Sequence, residues 1–82
     1  MSSRAADWLD LARRDAGLSC RELWVRYFGL GGMTAALELE GVLHGALTTT
    51  DDDLDRIVHA LNERFTELGR NQQLPYSDSP ET

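Results

Sequence analysis

The sequence of 82 residues contains no lysine, one cysteine and two prolines. Cys20 has no second cysteine to pair with, so an internal disulfide is excluded and the cytoplasm is the simplest expected location. No apolar run approaches the roughly 20 residues that span a bilayer, and the N-terminus lacks the apolar core of a secretory signal. We therefore expect a cytoplasmic protein without a membrane segment. Low lysine, isoleucine and asparagine content indicates a GC-rich, bacterial genome.

The sequence also lacks any alternating run rich in β-branched residues, so no strand is predicted. Apolar residues instead recur at helical spacing. We predict four helices, over residues 3–15, 20–29, 35–46 and 51–68. A chain this short forms one domain. The expected fold is all-α, a small four-helix orthogonal bundle over residues 1–69 with helix-turn-helix-like order in its middle, followed by a flexible polar tail over residues 70–82.

Several residues mark the ends of these helices. Ser19 and Glu22 have the spacing of a capping box at the start of the second helix. Thr34 and Thr50 are predicted to cap the third and fourth helices through their hydroxyl groups. Gly69 is placed to close the fourth helix, because glycine readily adopts the left-handed conformation found after a helix end.

Two glycines, Gly41 and Gly45, fall inside the third predicted helix. Each costs about 1 kcal/mol relative to alanine in a helix interior. Two explanations are open. Either another helix approaches closely on the glycine side, or the third helix ends early, near Gly45.

The second helix is apolar nearly all round, which is typical of a central helix in a small bundle. We expect the aromatic residues Trp8, Trp24, Tyr27 and Phe28 to form much of the core. Other apolar residues fall outside the helical stripes, and a contiguous exposed apolar patch marks an interface. The candidate partner-binding residues are Leu11, Val25, Met33 and Leu37.

The net charge of −6 is concentrated in the second half of the chain. Residues 31–69 contain two arginines against eight acidic residues. Such a segment repels phosphate backbones and favours basic partners. If the middle helices did form a DNA-reading helix-turn-helix, the third helix would present Glu38 and Glu40 and no basic or amide side chain to the bases. The arginines left for nucleic-acid contacts would be Arg13, Arg14, Arg21 and Arg26.

The spacing of the possible metal ligands favours no site. Glu40 and His44 stand four residues apart, as do His59 and Glu63, whereas di-metal bundles use a glutamate and a histidine three residues apart. The acidic run over residues 51–55 lacks the glycine and glutamate of a calcium loop. Cys20 has no histidine near it in sequence to act as a base. We predict no catalytic residue, no metal and no cofactor.

These observations predict a small non-enzymatic regulatory or adaptor domain that acts through protein–protein interaction, with a protein partner or as a homodimer. The alternative is a DNA-binding transcriptional regulator of the helix-turn-helix type. A hydrolytic or metal enzyme would require His44 and His59 to lie within reach of shared carboxylates.

Overall fold

The computed structural model of the protein describes residues 4–70 and 74, with side chains from Trp8 onward. This part of the chain contains no strand, so the predicted all-α fold is confirmed. Its helices are α1 (Arg4–Asp15), α2 (Cys20–Gly29), α3 (Ala36–Leu43) and α4 (Asp51–Glu67). None of them combines the length and apolar character required to cross a membrane.

The helices pack around α4, the longest of the four. Both α1 and α2 contact α3 and α4. The apolar periodicity of α4 gives it one buried stripe, which runs from Ile57 to Phe65. The buried core draws on all four helices and includes Leu9, Ala12, Leu23, Tyr27, Leu39, Leu43, Ile57, Val58, Leu61 and Phe65.

The predicted capping box at the start of α2 is confirmed. The Glu22 N–H donates to the Ser19 hydroxyl oxygen at 3.0 Å, and the Ser19 N–H donates to the Glu22 carboxylate at 2.8 Å. These hydrogen bonds, the backbone one above all, hold the pKa of Glu22 below its ordinary value. At the start of α4, the Thr50 hydroxyl oxygen accepts from the Asp53 N–H at 3.1 Å, as predicted.

The third helix is shorter than predicted at both ends. Its N-cap is Ala35, not Thr34, and the Glu38 carboxylate accepts from the Ala35 N–H at 3.2 Å. Thr34 lies one residue before the N-cap of α3, and its hydroxyl group donates to Asp53 of α4. At the other end the helix stops at Leu43, since Gly45 adopts a left-handed conformation with φ of +79°.

The early end of α3 also determines which group lies against Gly41. The chain folds back after the helix, and a Cβ atom at Gly41 would lie 2.8 Å from Leu47 Cδ1. The group that approaches this glycine most closely is therefore a side chain of the following loop. Of the two explanations left open, the early end of the helix is correct, and the side chain closest to Gly41 belongs to this loop.

The second helix is not buried all round. Leu23 and Tyr27 are completely buried, whereas Val25 and Phe28 are more than half exposed. The expectation that Phe28 belongs to the core was therefore wrong. The domain is small enough for α2 to lie at its surface, with only one side against α3 and α4.

The predicted flexible tail, residues 70–82, lies largely outside the described residues. Of its two described residues, Arg70 donates to the Asp15 carboxylate at 2.9 Å. Leu74 packs against the core, and its backbone exchanges two hydrogen bonds with the Asn62 amide group at 2.7 and 3.2 Å. The chain after α4 is thus attached to α1 and α4 at these two points.

Candidate interaction surface

The connection between α2 and α3 is held in place by a buried tyrosine. The Tyr27 hydroxyl donates to Asp53 Oδ1 at 2.9 Å and accepts from the Thr34 N–H at 2.9 Å. The Thr34 hydroxyl donates to the second carboxylate oxygen of Asp53 at 3.2 Å. Three segments, α2, the connection and the first turn of α4, are therefore joined by one network. Buried polar groups that are all satisfied in this way rigidify their surroundings.

Gly32 lies directly against the ring of Tyr27. A Cβ atom at this position would be 2.2 Å from Tyr27 Cζ, which is far inside contact distance. Because the ring is buried and its hydroxyl group is hydrogen-bonded, it has no room to move aside. The connection can approach the ring this closely only because residue 32 has no side chain.

Trp24 contacts both the connection between α2 and α3 and the exposed side of α2. Its indole N–H donates to the Thr34 carbonyl oxygen at 2.8 Å, and its ring stacks on Phe28 with centroids 5.2 Å apart. Phe28 is 58% exposed and Met33, next to Thr34, is 91% exposed. Val25 stands one turn before Phe28, which places the two on the same side of α2. We call Trp24, Val25, Phe28 and Met33 the apolar surface.

All four predicted partner-binding residues, Leu11, Val25, Met33 and Leu37, are more than half exposed. Val25 lies one turn before Phe28 on α2, and Met33 precedes Thr34, whose carbonyl oxygen accepts from the Trp24 N–H. Leu37 lies in the first turn of α3 and Leu11 on α1, and no contact described for residues 8–70 joins either side chain to the apolar surface. Sequence reasoning missed Phe28, because a helix that is apolar nearly all round gives no sign of its exposed side.

Carboxylates border the apolar surface where it meets the connection. The hydrogen bond from the Thr34 hydroxyl to Asp53 holds the first turn of α4 against Thr34, the neighbour of Met33 in the chain. Asp51 and Asp52 in that turn are exposed, as is Glu38 in the first turn of α3. The edge of the apolar surface next to the connection is therefore acidic, and arginine or lysine side chains of a partner would be attracted there. Val25, at the other edge, lines a groove with Arg21, Arg26 and Arg64.

Three of the four arginines considered for nucleic-acid binding are paired within the molecule. Arg13 and Arg14 both contact Asp10, at 2.9 and 3.0 Å. Arg26 makes two hydrogen bonds with Glu67, at 2.7 and 2.8 Å. These bonds raise the pKa of Arg26 and hold the pKa of Glu67 below its ordinary value.

Arg21 is the exposed exception, and no ion pair is seen for it within residues 8–70. The pairing of the other three leaves Arg21 as the one arginine of these four without an ion pair among the described side chains. Neutralisation of phosphates by cations supplies most non-specific nucleic-acid affinity.

One group of possible metal ligands comes together from separate helices. A sulfur atom of Cys20, a carboxylate oxygen of Glu40 and an imidazole nitrogen of His44 all lie within 4.8 Å of one another. His59 instead contacts Glu63 on α4 at 3.4 Å, as its spacing indicated. Sequence spacing alone could show the Glu40–His44 pair, but it could not show that Cys20 reaches it.

No known protein family, curated protein or solved structure matches this chain. Its function is therefore argued from the geometry described above.

Proposed function

We propose that this protein is a small non-enzymatic regulatory or adaptor domain that binds a segment of another protein. That segment would combine an apolar anchor with basic side chains. The observation that carries the proposal is the position of Phe28, which is 58% exposed and held by stacking on Trp24. Exposed aromatic residues held in fixed positions are typical centres of protein interfaces.

The rigidity of the surroundings supports this role. Trp24 is fixed by its hydrogen bond to Thr34, and Thr34 is fixed by Tyr27 and Asp53. Trp24 is thus held by a hydrogen-bonded network before any partner arrives, and Phe28 stacks on it. Binding to such a surface loses little conformational freedom, which favours affinity.

The acidic edge supports the charge assigned to the partner. Glu38, Asp51 and Asp52 are exposed on the side of Met33. Complementary charge raises the association rate and orients the partner. Two copies of a chain with net charge −6 would repel each other, which favours a basic partner over the homodimer.

The DNA-binding alternative receives no support from the charges. Glu38 and Glu40 lie in the helix that would enter the major groove. Arg13, Arg14 and Arg26 are already paired with carboxylates.

A cytoplasmic, bacterial setting is part of our proposal, and it is supported by the single cysteine and the composition.

The proposal can be tested by capture from the native host with wild-type protein, Phe28→Asp and Leu68→Asp. Leu68 is a matched control, because it is also partly exposed but lies at the opposite end of α4 from the acidic edge. We expect the Phe28 variant, and not the Leu68 variant, to lose a partner that is released by moderate salt. Equal capture by all three proteins, or capture insensitive to salt, would contradict the proposal.

Light scattering over a range of protein concentrations tests whether the apolar surface binds a second copy of this chain. We expect the free wild-type chain to be a monomer. If a dimer instead formed through the apolar surface, it would dissociate in the Phe28→Asp variant and persist in Leu68→Asp. That result would show that a second copy of the chain binds there, and it would contradict the proposal of a basic partner.

A further inference from the structure

Three side chains with the chemistry of metal ligands converge where α2 begins and α3 ends. Cys20 is the first residue of α2, and His44 is the residue that ends α3. Glu40 lies one helical turn before His44 and therefore on the same face. The sulfur, carboxylate oxygen and imidazole nitrogen all lie within 4.8 Å of one another.

We infer that Cys20, Glu40 and His44 form a three-ligand site for a zinc-like divalent ion. Zinc binds thiolate, imidazole and carboxylate ligands at about 2.0–2.3 Å, so tetrahedral geometry places neighbouring ligand atoms roughly 3.3–3.6 Å apart. The ligand atoms here are at most 4.8 Å apart and need to close by at most about 1.5 Å to reach that geometry. Cys20 is only half-buried and His44 is exposed, so their side chains have room to rotate.

The backbone beneath these side chains is well defined by local structure. The Ser19 capping box fixes the start of α2, and the left-handed Gly45 fixes the end of α3. The two helices pack against each other. A bound ion would therefore connect two packed helix ends, and small domains often add such a metal to a limited core.

The mixed ligand set also indicates which ion would bind. A thiolate disfavours magnesium and calcium, which prefer oxygen ligands, whereas zinc accepts sulfur, nitrogen and oxygen together. With three protein ligands, the fourth position would be left to water. The acidic first turn of α4 is a poorer candidate for an ion site, because the Asp53 carboxylate already accepts hydrogen bonds from Tyr27 and Thr34.

The test is a titration of the full-length, untagged protein with Co²⁺, followed by displacement with Zn²⁺. We expect one ion per chain, a thiolate-to-cobalt charge-transfer band, and a rise in melting temperature with either metal. Absence of the charge-transfer band, or binding that does not saturate at one ion per chain, would contradict the proposed site.

Variants identify the ligands. Cys20→Ser should abolish the charge-transfer band, and His44→Ala should weaken Co²⁺ binding by more than about 100-fold, because residues that only support ligands typically cost 10- to 100-fold. Glu40→Gln should weaken it by a smaller factor. His59→Ala is the matched control and should bind as wild type.

Circular dichroism of each metal-free variant checks that it is folded, and Ser19 still caps α2 in the Cys20 variant. If Cys20→Ser bound Co²⁺ as wild type does, or if His59→Ala weakened binding as much as His44→Ala, the assignment would be wrong. The site is independent of the apolar surface, so Phe28→Asp should retain metal binding.

Discussion

Tyr27 and Phe28 are neighbours in α2, yet one is completely buried and the other is 58% exposed. Tyr27 makes two hydrogen bonds through its hydroxyl group and lies against Gly32. Phe28 has no hydrogen-bonding group and stacks on Trp24. The inner side of α2 therefore contributes stability, and its outer side, which contributes little, is available for binding.

The largest difference should appear when each aromatic residue is truncated. Tyr27→Ala is expected to destabilise the fold by about 3–5 kcal/mol, the range for a large buried side chain. That loss would consume much of the stability of so small a domain. Phe28→Ala should cost about 1 kcal/mol or less, because the residue is exposed. Urea denaturation measures both values, and similar losses would contradict the division.

Adding one methyl group beneath Tyr27 tests how tightly the inner side is packed. Gly32→Ala should destabilise the fold by about 1–3 kcal/mol or more, because its Cβ atom would overlap the ring. Gly29→Ala is the control, since a Cβ atom there meets no neighbour within 4 Å. Thermal melting of the two variants should separate them clearly. Equal melting temperatures would show that the ring can move aside.

Removal of the hydroxyl group alone tests the network. Tyr27→Phe leaves the ring in place but removes a hydrogen bond from Asp53 and one from the Thr34 N–H. We expect a loss of about 1–3 kcal/mol, the cost of partly buried groups left without partners. Amide hydrogen exchange should then increase at Thr34. An unchanged exchange rate would mean that the connection is held by packing alone.

Such results bear on how much the sequence could predict. The presence of four helices and the Ser19 capping box follow from local patterns and were predicted correctly. On the exposed side of α2, Val25 was selected but Phe28 was not, because apolar residues surround the helix and no periodicity selects a face. That choice depends on which helices pack against α2.

The other features that the sequence did not reveal also depend on contacts between separate segments of the chain. Thr34 is a good N-cap residue by type, but its hydroxyl group bonds to Asp53 across the fold. The glycine side of α3 is met by Leu47 of its own following loop. Cys20 and His44 are 24 positions apart by their numbers, and only the packing of α2 on α3 brings them together.

The smallest effect should be a dependence of stability on acid pH from the outer edge of α2. Hydrogen bonds from Arg26 hold the pKa of Glu67 below its ordinary value. The resulting stabilisation is complete above the ordinary carboxyl pKa and is lost as the pH falls through the lowered one. Glu67→Gln should therefore melt lower than wild type at neutral pH and show a smaller further decrease in acid.

Arg26→Gln provides the complementary variant, because it removes the other half of the same pair. It should flatten the acid dependence in the same way. A wild-type acid dependence in both variants would show that the pair adds nothing to stability, as is common for exposed ion pairs.

The most direct test of the central claim is site-specific photo-cross-linking in the native host, with a photoreactive phenylalanine at position 28 or at position 68. Our account predicts a discrete adduct from position 28 and none from position 68. The cross-linked peptide should contain an apolar residue flanked by arginine or lysine. No adduct from position 28, the same adducts from both positions, or an acidic cross-linked peptide would contradict the account.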